Sequence, residues 1–238
     1  MSCFVSVIIP AYNESRTVAS TVRAAKLGAA ACGLPCEVVV VDDGSTDATA
    51  SAAEAAGARV VRMGRRSGKG AALTEGVMRA EGGVVVFLDA DLGETASEVA
   101  KLIAPVVRGE ADMTVARFPR RQRRTAAGGF GIVKAVARLG VRCLAGLSVS
   151  APLSGQRAAR REVVLALVPF EGGFGVEVAI TIDAARRGYR IAEVDCAMSH
   201  RATGRDFAGF VHRGRQLYWV ARALVCRAVR LPRMGTGR

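Results

Sequence analysis

Short apolar runs alternate with helical periodicity through the first half of the chain. Residues 4–9, 37–41, 58–62 and 112–116 read as strands, and 84–91 is an apolar run ending at Asp89 and Asp91. Between them, apolar positions recurring every three or four residues predict helices over 14–31, up to Ala56, over 71–80 and over 94–107. Ser45 reads as the N-cap of the second helix, with Asp47 in its first turn. Strands separated by helices predict an α/β fold with a mostly parallel sheet, helices on its faces and right-handed crossovers.

After Ala116 the pattern loosens. Residues 117–124 hold five Arg in eight positions and read as an exposed loop. A helix is expected from the Gly128-Gly129 pair to about Leu144, a short strand over 153–158, a helix over 176–187 and a strand over 190–194. A final helix over about 207–230 places Phe210, Leu217, Val220, Ala221 and Leu224 near one face and Arg213, Arg215, Arg222 and Arg227 elsewhere. With no internal repeat or long linker, residues 1–116 and 117–238 are expected to be two halves of one domain.

Composition narrows the partners. The 238 residues are 50% hydrophobic, enough for a large core, and 5% aromatic, too few for stacking single-stranded nucleic acid. A formal charge of +13 favours an anionic partner: a nucleotide diphosphate, a phosphorylated acceptor, an acidic lipid surface or nucleic acid. The last is disfavoured, because carboxylates gathered at the strand ends would repel phosphates without a metal. Six scattered cysteines show no zinc spacing and are expected to be reduced. The chain shows neither a signal-peptide pattern nor an apolar run of about 18 residues. A cytoplasmic protein is expected, with peripheral contact at the inner face of the membrane as a variant; a homodimer is also allowed.

Four loops fall at the carboxyl ends of the predicted parallel strands, at 10–14, 42–47, 64–70 and 89–91. In doubly wound sheets those ends share one edge, where ligands bind. Pro10, Ala11, Tyr12 and Glu14 offer a rigid turn, an aromatic face and a carboxylate. Asp43, ionised, can only accept hydrogen bonds, as from a uracil N3–H. Lys69, between two glycines, offers a point charge where backbone can approach a ligand closely. The loop is not a P-loop, since Gly70 and Ala71 follow the lysine. Asp89 and Asp91, flanking Ala90, form a hard-oxygen patch suited to Mg²⁺ or Mn²⁺ with a diphosphate. Against this stand plainer readings: Asp47 as a helix-terminal charge, Asp42 as a turn acceptor, Lys69 as a solvated lysine.

Ile8-Ile9-Pro10-Ala11-Tyr12-Asn13-Glu14, Val41-Asp42-Asp43-Gly44-Ser45-Thr46-Asp47, Gly68-Lys69-Gly70 and Asp89-Ala90-Asp91 resemble the family 2, GT-A fold glycosyltransferases. In the second half, Pro152-Leu153-Ser154-Gly155-Gln156, Phe174-Gly175-Val176-Glu177 and His200-Arg201 resemble the glucosyl-3-phosphoglycerate synthases and, more loosely, the polyprenyl-phosphate sugar transferases. The resemblance implies that Pro10, Ala11, Tyr12, Glu14 and Asp43 hold the uridine, with Lys69 and Ala90 near the nucleotide-sugar. It implies Asp89 at ribose or sugar and Asp91 as a metal ligand, with His200 completing the coordination of Mg²⁺ or Mn²⁺. Gly155, Glu177 and Arg201 would lie at the sugar or acceptor. Glu177 would serve as general base of an inverting transfer or as a sugar-orienting group in a retaining one; a helix-terminal charge is its plainer reading. One departure weakens phosphoglycerate as the acceptor: Gly131 and Val133 stand where those synthases use Arg and Thr.

The expected activity is metal-dependent transfer of a hexosyl group, glucosyl first, from a UDP-sugar to a phosphorylated or hydroxylated small molecule or a lipid phosphate. The competing classes are a polyprenyl-phosphate glycosyltransferase docked on a membrane through the basic last helix, a sugar nucleotidyltransferase and a nucleic-acid binder.

Overall fold

A computed structural model describes residues 4–118, 130–199 and 207–229, with the side chains of Phe130 and residues 207–213 outside the description. The described residues form one seven-stranded sheet in the order β3-β2-β1-β4-β6-β5-β7. The strands are β1 (Val5–Ala11), β2 (Cys36–Asp42), β3 (Arg59–Arg62), β4 (Val84–Phe87), β5 (Met113–Arg117), β6 (Arg157–Arg160) and β7 (Ile191–Asp195). The helices are α1 (Val18–Ala30), α2 (Thr49–Ala55), α3 (Lys69–Arg79), α4 (Val99–Val107), α5 (Phe130–Ala145), α6 (Arg161–Leu165), α7 (Val176–Arg186) and α8 (Phe207–Val229). Two 3-10 turns, Gly93–Glu98 and Gly173–Gly175, precede α4 and α7.

The interior strands are apolar on both sides because both faces are covered. Val5, Val7 and Ile9 point with Val38 and Val40 into one core, which includes Val22, Leu102 and Ile103 from the helices above. Ile8, Val39 and Val41 point the other way, against Leu73, Val77, Val163 and Ile180. A third cluster, including Val133, Ala137, Val178, Ile182 and Val220, joins α5, α7 and α8.

The sheet is mostly parallel, as the alternation predicts, with one inversion: β6 runs antiparallel to both neighbours. It starts later than the expected 153–158, because a turn closed by the Ser154 N–H on the Ala151 carbonyl at 3.1 Å comes first and residues 154–156 lead from it into the strand. Pro10 does not end β1, which continues to Ala11. Leu88 donates its N–H to the Ile8 carbonyl, so Ile8, and Pro10 two residues on, face β4. The β1–β4 ladder ends at Ile8 opposite Phe87, so the missing N–H of Pro10 falls where it is not needed.

The expected helix over 94–107 splits into a 3-10 turn and α4. Residues 14–17 make a turn before α1, with the Thr17 and Val18 N–H groups on the Glu14 carbonyl. In α8, Val220, Ala223 and Arg227 are buried while Ala221 is exposed, which corrects the expected inward face. Arg227 is drawn inward by Asp183, at 2.6 Å, and by Glu171, at 3.3 Å. Gly173, at φ 67°, leaves room for Trp219 of α8, whose ring would lie 2.2 Å from a Cβ there. The described cysteines are free, and burial pushes the Cys196 thiol up to about 12.

Candidate active site

The loops after β1 and β2 interlock through backbone donors. Asn13 adopts a left-handed φ of 55°. Its N–H donates to Ser45 Oγ at 3.0 Å, and its Oδ1 accepts from the Thr46 N–H at 2.9 Å. The Glu14 N–H donates to Thr49 Oγ1 at 2.8 Å, while Glu14 Oε2 accepts from Thr17 Oγ1 at 3.0 Å. Ser45 is therefore occupied with Asn13 and is not the N-cap; α2 begins at Thr49. Asp47 takes the terminal role, accepting from the Thr49 N–H at 3.0 Å and the Ser15 N–H at 3.3 Å. Its bond with the Thr49 hydroxyl, then those with Ser15 and the Thr49 backbone, hold its carboxyl down at about 2. Asp42 accepts from the Ser45 N–H at 3.0 Å, a turn acceptor.

Asp43 ties in the third loop. Its two oxygens accept from the Ser67 N–H at 2.6 Å and the Gly68 N–H at 2.8 Å. It is only 5% exposed, so it shapes the 64–70 loop first, and any ligand N–H meets a carboxylate already oriented. The Arg66 guanidinium lies 4.0 Å from the centre of the Tyr12 ring, a cation–π stack across the same edge.

Beyond β4 lies the charged centre. Lys69 opens α3, and its Nζ bridges Asp89 Oδ1 at 2.7 Å and Glu177 Oε1 at 2.8 Å. Burial opposes its charge, but Asp89 and then Glu177 outweigh that cost and hold the ammonium above the ordinary lysine range. The other Asp89 oxygen accepts from Gln156 Nε2 at 2.6 Å, and Gln156 Oε1 accepts from Ser154 Oγ at 3.2 Å. A Cβ at Gly155 would stand 2.7 Å from Lys69 Nζ and 3.1 Å from Asp89 Oδ2, so a side chain there would displace the ammonium or the carboxylate. Three segments distant in sequence thus meet at Lys69.

Asp91 sits half-buried two residues further on. Its turn is pinned by Thr21, whose hydroxyl donates to the Ala90 carbonyl at 2.9 Å and accepts from the Gly93 N–H at 2.9 Å. Carboxylate oxygen suits Mg²⁺ or Mn²⁺, which take one or two protein carboxylates together with substrate phosphates and water. Among the described residues, no group of three His, Cys, Asp or Glu could hold a metal. The donor set therefore fits a cation that arrives with a diphosphate. His200 and Arg201 lie outside the described residues; the chain up to Ser199 is tied to Thr95 by a 3.2 Å bond from its N–H.

The structure brings Lys69, Asp89, Gly155 and Glu177 together, with Asp91 on the same turn as Asp89. Pro10, Ala11, Tyr12, Glu14 and Asp43 lie along the adjoining loop edge, and Ala90 is buried. Sequence reasoning carried Gln156 only inside the Pro152-Leu153-Ser154-Gly155-Gln156 motif, without a role, and did not single out Arg157, Thr21 or Thr181. Gln156 is wholly buried, and a buried amide needs partners.

The family described as Glycosyl transferase family 2 matches residues 6–163. The glucosyl-3-phosphoglycerate synthase of Mycobacterium tuberculosis is 36% identical over 233 residues, covering 88% of this chain and 70% of that protein. Its crystal structure with Mn²⁺, UDP and phosphoglyceric acid superposes with a TM-score of 0.77 at 31% identity, over 99% of this chain and 81% of that one. The complex with Mn²⁺, UDP-glucose and phosphoglyceric acid gives 0.75 at 30% identity, over 99% and 82%. A further complex of that synthase holds Mg²⁺ and UDP.

Proposed function

The chain belongs to glycosyltransferase family 2, and from that premise we propose that it moves a glucosyl group from UDP-glucose to a phosphorylated or hydroxylated acceptor, with Mn²⁺ or Mg²⁺ beside the diphosphate. The observation that carries it is the Lys69 bridge, which assembles Asp89, Glu177 and Gly155 where β4 ends. The residues divide the work. Tyr12, Glu14 and Asp43 meet the uridine. Asp91 and His200 are the residues that would hold the cation, which neutralises charge developing on the departing diphosphate. Asp89, with both oxygens oriented by Lys69 and Gln156, accepts from ribose or sugar hydroxyls. Glu177, fixed by the same ammonium, accepts from a hydroxyl of the sugar or the acceptor. Gly155 keeps the opposite wall close, and Arg201 would meet the acceptor.

UDP release from UDP-glucose with Mn²⁺, followed by a screen of phosphorylated acceptors, tests this. Metal-dependent UDP release is expected. Pyrophosphate release from UTP and glucose 1-phosphate, with no UDP release, would assign the site to nucleotidyl transfer instead.

A second reading has its own observation. Tyr218, Val225 and Val229 are exposed on α8, with Arg215 and Arg222 exposed on the same helix. No helix among the described residues is long and apolar enough to cross a membrane. Peripheral docking on anionic lipid would bring a polyprenyl phosphate to the site. Absence of co-sedimentation with anionic liposomes would remove this acceptor class.

A further inference from the structure

Arg157 is the bulkiest of the fully buried side chains, at 2% exposure. It lies within the sheet, opposite Phe87 of β4 and Val115 of β5. An apolar residue would pack there without the cost of burying a charge. Its Nε donates to the Ser154 carbonyl at 3.0 Å, Nη1 to Thr181 Oγ1 at 2.9 Å and Nη2 to the Glu177 carbonyl at 2.8 Å. All three acceptors are uncharged. Burial pushes the guanidinium down to about 10, with Glu177 pulling the other way.

The three bonds converge on the charged centre from below. The Thr181 hydroxyl, one turn along α7, also donates to the Glu177 carbonyl at 2.9 Å, so the guanidinium, the hydroxyl and the carbonyl close a ring under the first turn of α7. On its other side Arg157 grips Ser154, in the segment that sets Gly155 against Lys69 and Gln156 against Asp89. The planar fork of an arginine can hold two segments at a fixed separation, which a lysine does not.

We propose that Arg157 is a positioning residue of the transfer centre, fixing the 154–156 segment and the first turn of α7 so that Glu177 stays in register with Lys69 and Asp89. The proposal rests on the glycosyl-transfer reading. Arg157 touches no substrate; it acts through Glu177 and Ser154. Displacing a reacting group by about 1 Å costs on the order of 100-fold in rate. Loss of the fork is expected to appear in kcat, while uridine binding on the neighbouring loops is spared.

The test compares wild type, Arg157→Met, Arg157→Lys and Thr181→Val by UDP release from UDP-glucose and Mn²⁺, with UDP affinity by calorimetry and thermal melting alongside. For folded Arg157→Met, kcat is expected to fall by about 30-fold or more with KM and UDP affinity within about threefold of wild type. Arg157→Lys is expected to recover only part of the loss, and Thr181→Val, which removes one of the three Arg157 bonds together with the hydroxyl's own bond to the Glu177 carbonyl, to lose about fivefold. A folded Arg157→Met with wild-type kcat overturns the proposal. If that variant does not fold, an unchanged kcat in Thr181→Val overturns it. Wild-type protein that releases no UDP overturns the glycosyl-transfer reading and the proposal with it; normal wild-type turnover with unaffected variants sinks the proposal alone.

Discussion

The loops after β1 and β2 and the cluster around Lys69 sit along one sheet edge but keep their shape by different means. In the first, short side chains accept from backbone N–H groups: Asn13 to Thr46, Asp47 to Thr49, Asp43 to Ser67 and Gly68. Apart from the local Asp47–Thr49 bond, each link joins neighbouring loops. In the second, charged side chains reach across long stretches of chain: Lys69 to Glu177 over 108 residues, Gln156 to Asp89 over 67. Removing one member there leaves the others uncompensated in a half-buried setting. The first region is a frame held by backbone donors, the second a balance of charges.

Substitutions can break this contrast. The largest effect is expected from Asp91→Ala, which removes the carboxylate proposed to hold the cation: metal-dependent UDP release should fall by at least about 1,000-fold. Wild-type turnover would refute the metal role. Lys69→Met removes the ammonium that bridges Asp89 and Glu177. A loss of about 100-fold in kcat is expected, with UDP affinity measured by calorimetry changing much less. Asp43→Ala should invert that pattern, weakening UDP binding by about tenfold as the 64–70 loop loses its two backbone anchors, with a smaller change in kcat.

The smallest effects are expected with pH, and they have opposite signs in the two regions. The depressed Asp47 contributes stability fully present above about pH 4 and lost as pH falls through about 2. Protection of the Ser15 and Thr49 amides from hydrogen exchange, relative to unstructured amides at the same pH, should fall over that range. Lys69, raised above its ordinary value, contributes stability fully present below about pH 10 and lost as pH rises through its raised value. The melting temperature of Lys69→Met should therefore change less than that of wild type under strong alkali.

Legibility in the sequence follows the same division. The apolar runs marked the interior strands because both sheet faces are covered, and turn residues marked the loops. Asp89 and Asp91 could be read because the apolar run stops abruptly before them. The antiparallel course of β6 could not be read, since Arg157-Ala158-Ala159-Arg160 has no apolar alternation and its direction is set only by pairing with β4 and β5. Ser45 has the chemistry of a cap, yet a bond from Asn13, 32 residues away, claims it. Arg157 and Arg227 were invisible as buried groups because composition assigns arginine to the surface, and only distant partners make burial tolerable. Glu177 was found through resemblance rather than spacing, its lysine partner lying on the other side of the domain's sequence.

The inverted strand carries a consequence in time. β4 leaves the ribosome with β1 available on one side, but the partner for its other edge is β6, about 70 residues downstream. At usual synthesis rates the apolar edge of Val84–Phe87 waits roughly 4 to 14 s for Arg157–Arg160 to emerge. An unpaired apolar edge is a template for association with other chains. The nascent chain is thus expected to be most open to association between the completion of β4 and the arrival of β6, an interval in which the loops after β1, β2 and β3 are already made and the cluster of Lys69, Asp89 and Glu177 has yet to exist.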